Sequence, residues 1–236
     1  MVYIQSDNDR KLPHHFDAAC ALYGAMEHGL DFRLTTYDEV LSGKFDRLIR
    51  GNLFVGSVEF MTLVFSRIDK KISALKNVFQ EFELATLEIA RQKVESGGRL
   101  FIKPIEIKQF TGMVFDAQTI NQLGSYASTA QVIIAKPYQH RLISETRCYI
   151  HHNKIVDARN YAGDFKVSPD YTWAESVLSK LSDFPVAFTM DIGVLENCEN
   201  VVVEFNDMWA IGNYGIENAL YFKLLRGRYF EITNTE

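Results

Sequence analysis

The sequence predicts a mixed α/β (α+β) protein, in which a small α/β lobe leads into a longer, strand-rich half. Three observations predict it. Short apolar runs alternate with helically spaced ones over the opening stretch, roughly 70 residues, a size near the low end for a domain. Ser96-Gly97-Gly98 is the clearest internal punctuation. After it, compact apolar runs bounded by turn residues follow one another to the end of the chain. The expected organisation is an N-terminal α/β lobe over 1–69, a helical connector over 70–98 and a second α+β region over 99–236.

Each element has its own signal. Val2–Gln5 is apolar and runs into Ser6-Asp7-Asn8-Asp9, a strand followed by a polar loop. Phe16, Ala19, Cys20, Leu22, Tyr23 and Met26 recur at helical spacing between His14 and His28, and Gly29 stands where a helix ends. Phe32–Thr36 reads as a strand and Tyr37–Ser42 as a helical turn. Leu48-Ile49 and Leu53–Val55 flank Arg50-Gly51-Asn52, which reads as a strand–loop–strand or strand–loop–helix passage. Lys70–Glu95 carries apolar residues at three- and four-residue intervals and reads as helix-rich. Beyond the Gly pair, Leu100–Ile102, Met113–Phe115 and Gln131–Ala135 read as strands, with a helix around Ala117–Gly124. Arg147–His151 and Lys154–Arg159 form a hairpin turning at His152-Asn153. Thr172–Leu181 is helical, Ala187–Gly193 and Val201–Phe205 are strands, and Ile216–Leu225 is a closing helix.

Composition narrows the class. The chain has 236 residues, 47% hydrophobic and 23% charged, which is a globular composition able to bury a sizeable core. The net charge of −5 comes without a block of Lys and Arg, so nucleic acid is not an expected partner. Three widely spaced cysteines, Cys20, Cys148 and Cys198, form no Cys-x-x-Cys pair and suit a reducing compartment. No apolar run is long enough to cross a bilayer, and the first ten residues lack a signal pattern. A cytoplasmic location is expected.

The chemistry gathers in the second half. Glu204 and Asn206 lie two apart on a strand and project from one face, beside Asp191 on a neighbouring antiparallel strand. Two carboxylates and an amide oxygen make a hard-oxygen site suited to Mg²⁺ shared with phosphate. Phe205 faces the other way, into the core. An acidic pair by itself is more often a solvated hairpin edge, but the apolar Val201–Val203 argues for burial, which a carboxylate tolerates only when paired or metal-bound. Lys103 ends an apolar strand as a point charge for phosphate, and Gly112 in Lys108-Gln109-Phe110-Thr111-Gly112 allows close approach of a loop. Glu145-Thr146-Arg147 and Arg159 sit on partner strands, as an anion clamp or as a surface ladder.

Taken in order, Phe-Ile-Lys-Pro, Lys-Gln-Phe-Thr-Gly, Ser-Glu-Thr-Arg-Cys-Tyr-Ile, Ala-Arg-Asn-Tyr-Ala-Gly-Asp, Met-Asp-Ile-Gly-Val, Val-Glu-Phe-Asn-Asp and Ile-Gly-Asn-Tyr-Gly-Ile resemble the ATP-grasp superfamily. Within it the series is similar to a clade of bacterial and phage proteins. The resemblance runs from Leu100 to the C-terminus and extends more faintly to Val55-Gly56-Ser57-Val58-Glu59-Phe60. It implies an ATP-grasp fold, with two α+β subdomains sandwiching ATP and a small α/β lobe before them. By the same resemblance Lys103 holds the α- and β-phosphates, and Lys108, Thr111 and Gly112 belong to the phosphate loop. Ala135, Lys136 and Pro137 offer backbone to the adenine edge. Glu145 contacts the ribose or orients Arg147. Asp191, Glu204 and Asn206 bind Mg²⁺, and Arg147, Arg159 and Lys108 stabilise the transferring phosphoryl group or bind the acceptor carboxylate.

The implied activity is ATP- and Mg²⁺-dependent ligation of a carboxylate to an amine through an acyl phosphate. The partners are then a small-molecule or peptide acid and an amine co-substrate, without a membrane, and a homodimer is one assembly the chain would allow. A kinase acting on a hydroxyl and a non-catalytic nucleotide-binding module are the alternatives. The sequence departs from the family in two respects: many relatives place an arginine just before the first metal carboxylate, and here Thr189-Met190 precede Asp191, and the earlier ATP-contacting lysine of many relatives has no clear counterpart. Lys70 or Lys71 would serve for an earlier ATP-contacting lysine. Trp209 is expected in the core, and Tyr161 and Tyr214 are candidates to line a substrate pocket. Acceptor selectivity is expected from the N-terminal lobe, with Arg50-Gly51-Asn52 and Glu59 as candidates, and from loops such as Asn160–Pro169.

Overall fold

The computed structural model describes residues 1–9, 11–72, 75, 81–105, 109–110 and 112–234. They fall into two compact units, one of residues 1–75, 143–194 and 198–236 and one of residues 76–142 and 195–197.

The first unit opens with β1 (Val2–Gln5), α1 (Phe16–Glu27), β2 (Phe32–Thr35), α2 (Tyr37–Leu41), β3 (Leu53–Val55) and α3 (Val58–Ser66). The three strands form a parallel sheet in the order β2-β1-β3, so every residue of the central β1 is buried. Local chemistry sets the helix ends. His15 caps α1 by accepting the Ala18 N–H, Gly29 leaves it at φ +65, and Thr36 with Glu39 forms a capping box on α2.

The second unit holds β4 (Phe82–Thr86), α4 (Leu87–Glu95), β5 (Leu100–Pro104), β6 (Met113–Phe115) and β7 (Gln131–Ala135). Its antiparallel sheet has the order β4-β7-β5-β6. β4 stands inside the stretch expected to be helix-rich. Its five residues pair in register with β7, from Phe82 opposite Ala135 to Thr86 opposite Gln131, and this ladder overrides the helical spacing. Helix begins at Leu87, where the Thr86 side chain caps it, and Leu87, Ala90 and Val94 bury one face against Ile102, Phe115 and Val132. The helix expected around Ala117–Gly124 is a short 3-10 turn at Ile120–Leu123.

The first unit resumes with β8 (Leu142–His151), β9 (Lys154–Gly163), α5 (Tyr171–Leu178), β10 (Ala187–Leu195), β11 (Asn200–Asp207) and α6 (Asn218–Thr233), which is longer than the expected closing helix. The strands order as β11-β10-β8-β9. His152 and Asn153 turn the β8–β9 hairpin with φ of 48 and 60, the two positive values that a two-residue turn needs to match strand twist. This sheet has two chemically distinct faces. On one, Cys148, Ile150, Phe188, Met190, Ile192, Val202 and Phe205 pack with Ala174, Val177 and Leu178 of α5. On the other, Tyr149 and Ala187 join the core that α6 shares with the N-terminal lobe. There α1 and α6 approach so closely that a Cβ on Gly24 would lie 2.3 Å from the Asn218 carbonyl oxygen. Among the described residues, no helix is long and apolar enough to cross a membrane.

Candidate active site

The strand alternation that sends Phe205 into the α5 core sends Glu204 and Asn206 to the opposite face of the sheet. Register then brings the other polar groups alongside. Asp191 is opposite Glu204, Thr189 is opposite Asn206, and on the neighbouring hairpin Arg147 is opposite Arg159. The guanidinium of Arg147 closes on Asp191 as a fork, with Nε donating to Oδ1 at 2.8 Å and Nη2 to Oδ2 at 2.7 Å. Both side chains are buried, Asp191 completely. Burial pushes the Asp191 carboxyl up to about 6, while the hydrogen bonds and charge of Arg147 pull it down and the charge of Glu204 pushes it up again. Burial also works against the Arg147 charge, but the hydrogen bonds to Asp191 and its negative charge outweigh that and hold the guanidinium protonated.

Glu204 joins this pair, its Oε1 4.0 Å from Arg147 Nη2 and accepting from Asn206 Nδ2 at 2.9 Å. Tyr161 bridges two carboxylates. Its hydroxyl lies 2.8 Å from Glu145 Oε2 and 3.3 Å from Asp191 Oδ2, and burial, then Asp191, then Glu145 raise its pKa. The Tyr161 and Tyr214 rings stack at 5.1 Å, and the Arg147 guanidinium carbon lies 4.6 Å from the Tyr214 centroid and 5.5 Å from that of Tyr161. Sequence reasoning thus finds Arg147, Glu145, Asp191, Glu204 and Asn206, and the structure brings these five together. The positive charge beside Asp191, missing from the residues just before it, arrives from β8. Arg159 turns elsewhere, to Asp157 Oδ2 and the Gly215 carbonyl oxygen, each at 3.1 Å.

The turn after β11 is fastened from four elements. Tyr149 of β8 donates its hydroxyl to the carbonyl oxygens of Gly212 and Asn213, Tyr221 of α6 to that of Ile211, and Arg159 of β9 to that of Gly215. Asp17 in the first turn of α1 accepts the Asn213 N–H at 2.8 Å, and Asn213 Oδ1 accepts that of Gly215 at 2.7 Å. The turn presents Tyr214 at φ +48, half exposed. Asp17, Tyr149 and Asn213 escape sequence reasoning, because their roles depend on contacts between residues more than 60 positions apart. Trp209 packs into the core edge-on to Phe65, as expected.

In the second unit, Lys103 lies on β5 opposite Ile133 of β7. Gly112 lies against it so tightly that a Cβ there would come within 3.0 Å of Lys103 Cβ and of the Phe101 ring. Ala135, Lys136 and the exit of β7 help to line an open groove of about 520 Å³, together with Phe82, Leu100, Ile134 and Tyr138 and the ion pair of Lys93 with Glu83. Pro137 follows at the strand exit. Lys108 and Thr111 lie outside the described residues.

The donor set bears on whether a divalent ion suits the β10–β11 face. Among the described residues no cluster of three or more His, Cys, Asp and Glu side chains could hold a metal ion by itself. Glu204 and Asn206 instead offer hard oxygens on a part-exposed face, with the Asn206 Nδ2 turned to Glu204 and its Oδ1 left as an acceptor. Mg²⁺ commonly takes one or two protein oxygens and completes its shell with phosphate and water, so the residues fit it. Asp191 retains acceptor capacity beside the two Arg147 bonds, since a carboxylate has about four lone-pair sites.

A family described as an ATP-grasp domain, the second family of its clade, matches residues 78–224 of the chain. No curated protein matches it. Among solved structures, the D-cycloserine synthetase DcsG superposes with a TM-score of 0.57 at 11% identity, covering 98% of this chain and 99% of that one. The D-alanine–D-alanine ligase of Bacillus anthracis gives 0.53 at 12% identity over 99% and 97%. An ATP-grasp RimK domain protein from Sphaerobacter thermophilus gives 0.51 at 12% identity over 99% and 98%. At such identities the likeness speaks for the fold, the α+β ATP-grasp fold that the motif series implies.

Proposed function

The chain belongs to this ATP-grasp domain family, and on that footing we propose that it is an ATP- and Mg²⁺-dependent ligase joining a carboxylate to an amine. The observation that carries this reading is the β10–β11 face, where Glu204 and Asn206 stand together beside a buried, charged Arg147. That face suits anionic phosphates and their counter-ion better than it suits a protein nucleophile. Two structural neighbours are by name a synthetase and a ligase, which supports the reading by analogy of fold alone.

In this proposal the acid's carboxylate oxygen attacks the γ-phosphorus of ATP, the bond to the departing ADP oxygen breaks, and an acyl phosphate results. The amine then attacks the acyl carbon, phosphate leaves with the bonding pair, and the nitrogen loses a proton to give the amide. Glu204, Asn206 and Asp191 would hold Mg²⁺, which when bound supplies positive charge to phosphate oxygens. Lys103, Lys108, Thr111 and Gly112 would receive the phosphates. The groove at Ala135, Lys136 and Pro137 would take the purine, with apolar walls from Leu100 and Ile134 and backbone groups for its edge. Glu145, held by Tyr161, would bind the ribose. Arg147 and Arg159 would offer fixed positive charge to the transferring phosphoryl group or the acid, and such charge counts most when it needs no reorganisation during reaction. Little else is asked of the protein than positioning.

The test is an ADP-release screen with MgATP against pooled amino acids and peptides, with mass spectrometry of the products. The expected product has the mass of acid plus amine less one water. A phosphorylated hydroxyl would replace the ligase by a kinase, and calorimetry finding no uptake of ATP with Mg²⁺ present would remove both.

A further inference from the structure

Strand β10 is buried along its whole length, and Thr189 and Asp191 are its two polar residues. Asp191 has the Arg147 fork. Thr189 is buried just as completely, yet its hydroxyl oxygen finds no hydrogen-bond partner among the described residues. A valine would match its shape, suit a strand equally well and bury no polar atom. Taking a hydroxyl out of water without a partner is unfavourable, so a threonine here calls for a role that the ligand-free fold does not use.

Register points to that role. Met190 turns into the α5 core, so Thr189 and Asp191 share the opposite face, and Thr189 stands directly across from Asn206 of β11. Side chains paired in this way have Cβ atoms about 5 Å apart, close enough for a hydroxyl and an amide to meet. Asn206 Nδ2 carries two protons and gives one to Glu204 Oε1 at 2.9 Å. Thr189 Oγ1 is an unused acceptor for the other, across the strand pair. For Asn206 to offer Oδ1 to a divalent ion, its amide must stay turned with Nδ2 away from the charge, because an N–H aimed at a cation is repelled. An acceptor behind Nδ2 fixes that turn, as the hydrogen bond to the second ring nitrogen fixes a metal-bound histidine. Glu204 cannot do this alone, since an arriving ion draws its carboxylate too. Thr189 lies in the buried strand and stays in place.

We propose that Thr189 is a positioning residue for Asn206: its buried hydroxyl oxygen accepts an Asn206 Nδ2 proton and so aims Oδ1 at a divalent cation. The proposal rests on the reading that Glu204 and Asn206 hold Mg²⁺. Calorimetry measures the affinity for a non-hydrolysable ATP analogue over a series of free Mg²⁺ concentrations. Thr189→Val is expected to raise the Mg²⁺ midpoint about tenfold or more, the usual effect of losing a group that orients a metal ligand. Thr189→Ser, which keeps the oxygen, should stay near the wild type. In an Asn206→Asp background, where no amide needs turning, Thr189→Val should move the midpoint by no more than about twofold. Without Mg²⁺, the urea midpoint of Thr189→Val should equal or exceed that of the wild type, because the hydroxyl has no partner to lose. An unchanged Mg²⁺ midpoint in Thr189→Val, an equal loss in the Asn206→Asp background, or a lowered urea midpoint without the ion would overturn the proposal and leave the ligase reading standing. Wild-type affinity independent of Mg²⁺ would overturn both. The expected Mg²⁺ series with no amide in the ADP-release screen would support the proposal and remove the ligase alone.

Discussion

On the Asp191 face of the β8–β11 sheet the ionisable side chains are bonded to one another around a buried pair, whereas around the groove of the β4–β7 sheet they stand in solvent against an apolar floor. Asp191 and Arg147 satisfy one another away from water, and Tyr161, Glu145, Glu204 and Asn206 extend the set. In the groove, the Lys93–Glu83 pair is about half exposed and Lys136 is exposed, while Ile134 and Ala135 are buried. The difference teaches how each surface can work. A buried network fixes charges before any ligand arrives, at the risk of a large loss when one member is removed. An open groove reads its ligand by shape and backbone, and each side chain there counts for less.

The largest test of that contrast removes Arg147. Arg147→Met leaves Asp191 buried without its partner and is expected to cost about 3–5 kcal/mol in urea unfolding, the usual effect of breaking a buried pair. Lys103→Met in the other sheet should cost under about 1 kcal/mol, as most changes at incompletely buried positions do. Arg147→Met with Asp191→Leu should recover much of the loss, because the uncompensated charge goes too. Equal costs for the two single variants would erase the distinction between the sheets.

Ligand binding separates them next. Glu204→Gln keeps the shape of the β11 face but removes one negative charge, and should lower Mg²⁺-dependent ADP release by about 10²-fold or more, as loss of a pre-organised charge does. Its affinity for AMP without metal should stay near that of the wild type. Leu100→Trp, which fills the groove, should weaken AMP and MgATP alike by about tenfold, roughly 1.4 kcal/mol. Calorimetry with the two nucleotides checks both, and a Glu204→Gln variant that lost AMP binding would show that the two surfaces had been assigned the wrong tasks.

How much of this was legible beforehand follows from the range of each interaction. Glu204 and Asn206 share a face because of strand alternation, which is a property of neighbouring residues, and so they could be read from spacing. The hairpin at His152-Asn153 was legible for the same reason. The strand Phe82–Thr86 was not, since its stability comes from pairing with Gln131–Ala135, nearly fifty positions on, against a local helical pattern. The motif series named Arg147 and Asp191 separately, but nothing in the sequence says that their side chains fork together across 44 positions. The clamp on residues 211–215 lies further still from local reading, because Asp17 reaches Asn213 over a separation of 196. Local rules gave the strands and the acidic face, and the network beneath it depends on tertiary contact.

Tyr161 offers the finest test, because it separates a network from a set of neighbours. Its hydroxyl has one proton and lies near two carboxylates, closer to Glu145 than to Asp191. Tyr161→Phe removes that donor while keeping the ring stacked on Tyr214, and should cost about 1 kcal/mol, in the range of a single hydrogen bond. If the Tyr161 hydroxyl serves Glu145 alone, Tyr161→Phe and Asp191→Asn should simply add. If it also supports the Asp191–Arg147 fork, the double variant should cost less than the sum of the two, by an interaction term that a double-mutant cycle resolves at about 0.5 kcal/mol. The second result is expected, since Asp191 Oδ2 lies 3.3 Å from the hydroxyl and is itself buried. Full additivity of the two changes would mean that Tyr161 and the buried pair are merely adjacent, and the contrast between the two sheets would shrink to a difference in burial.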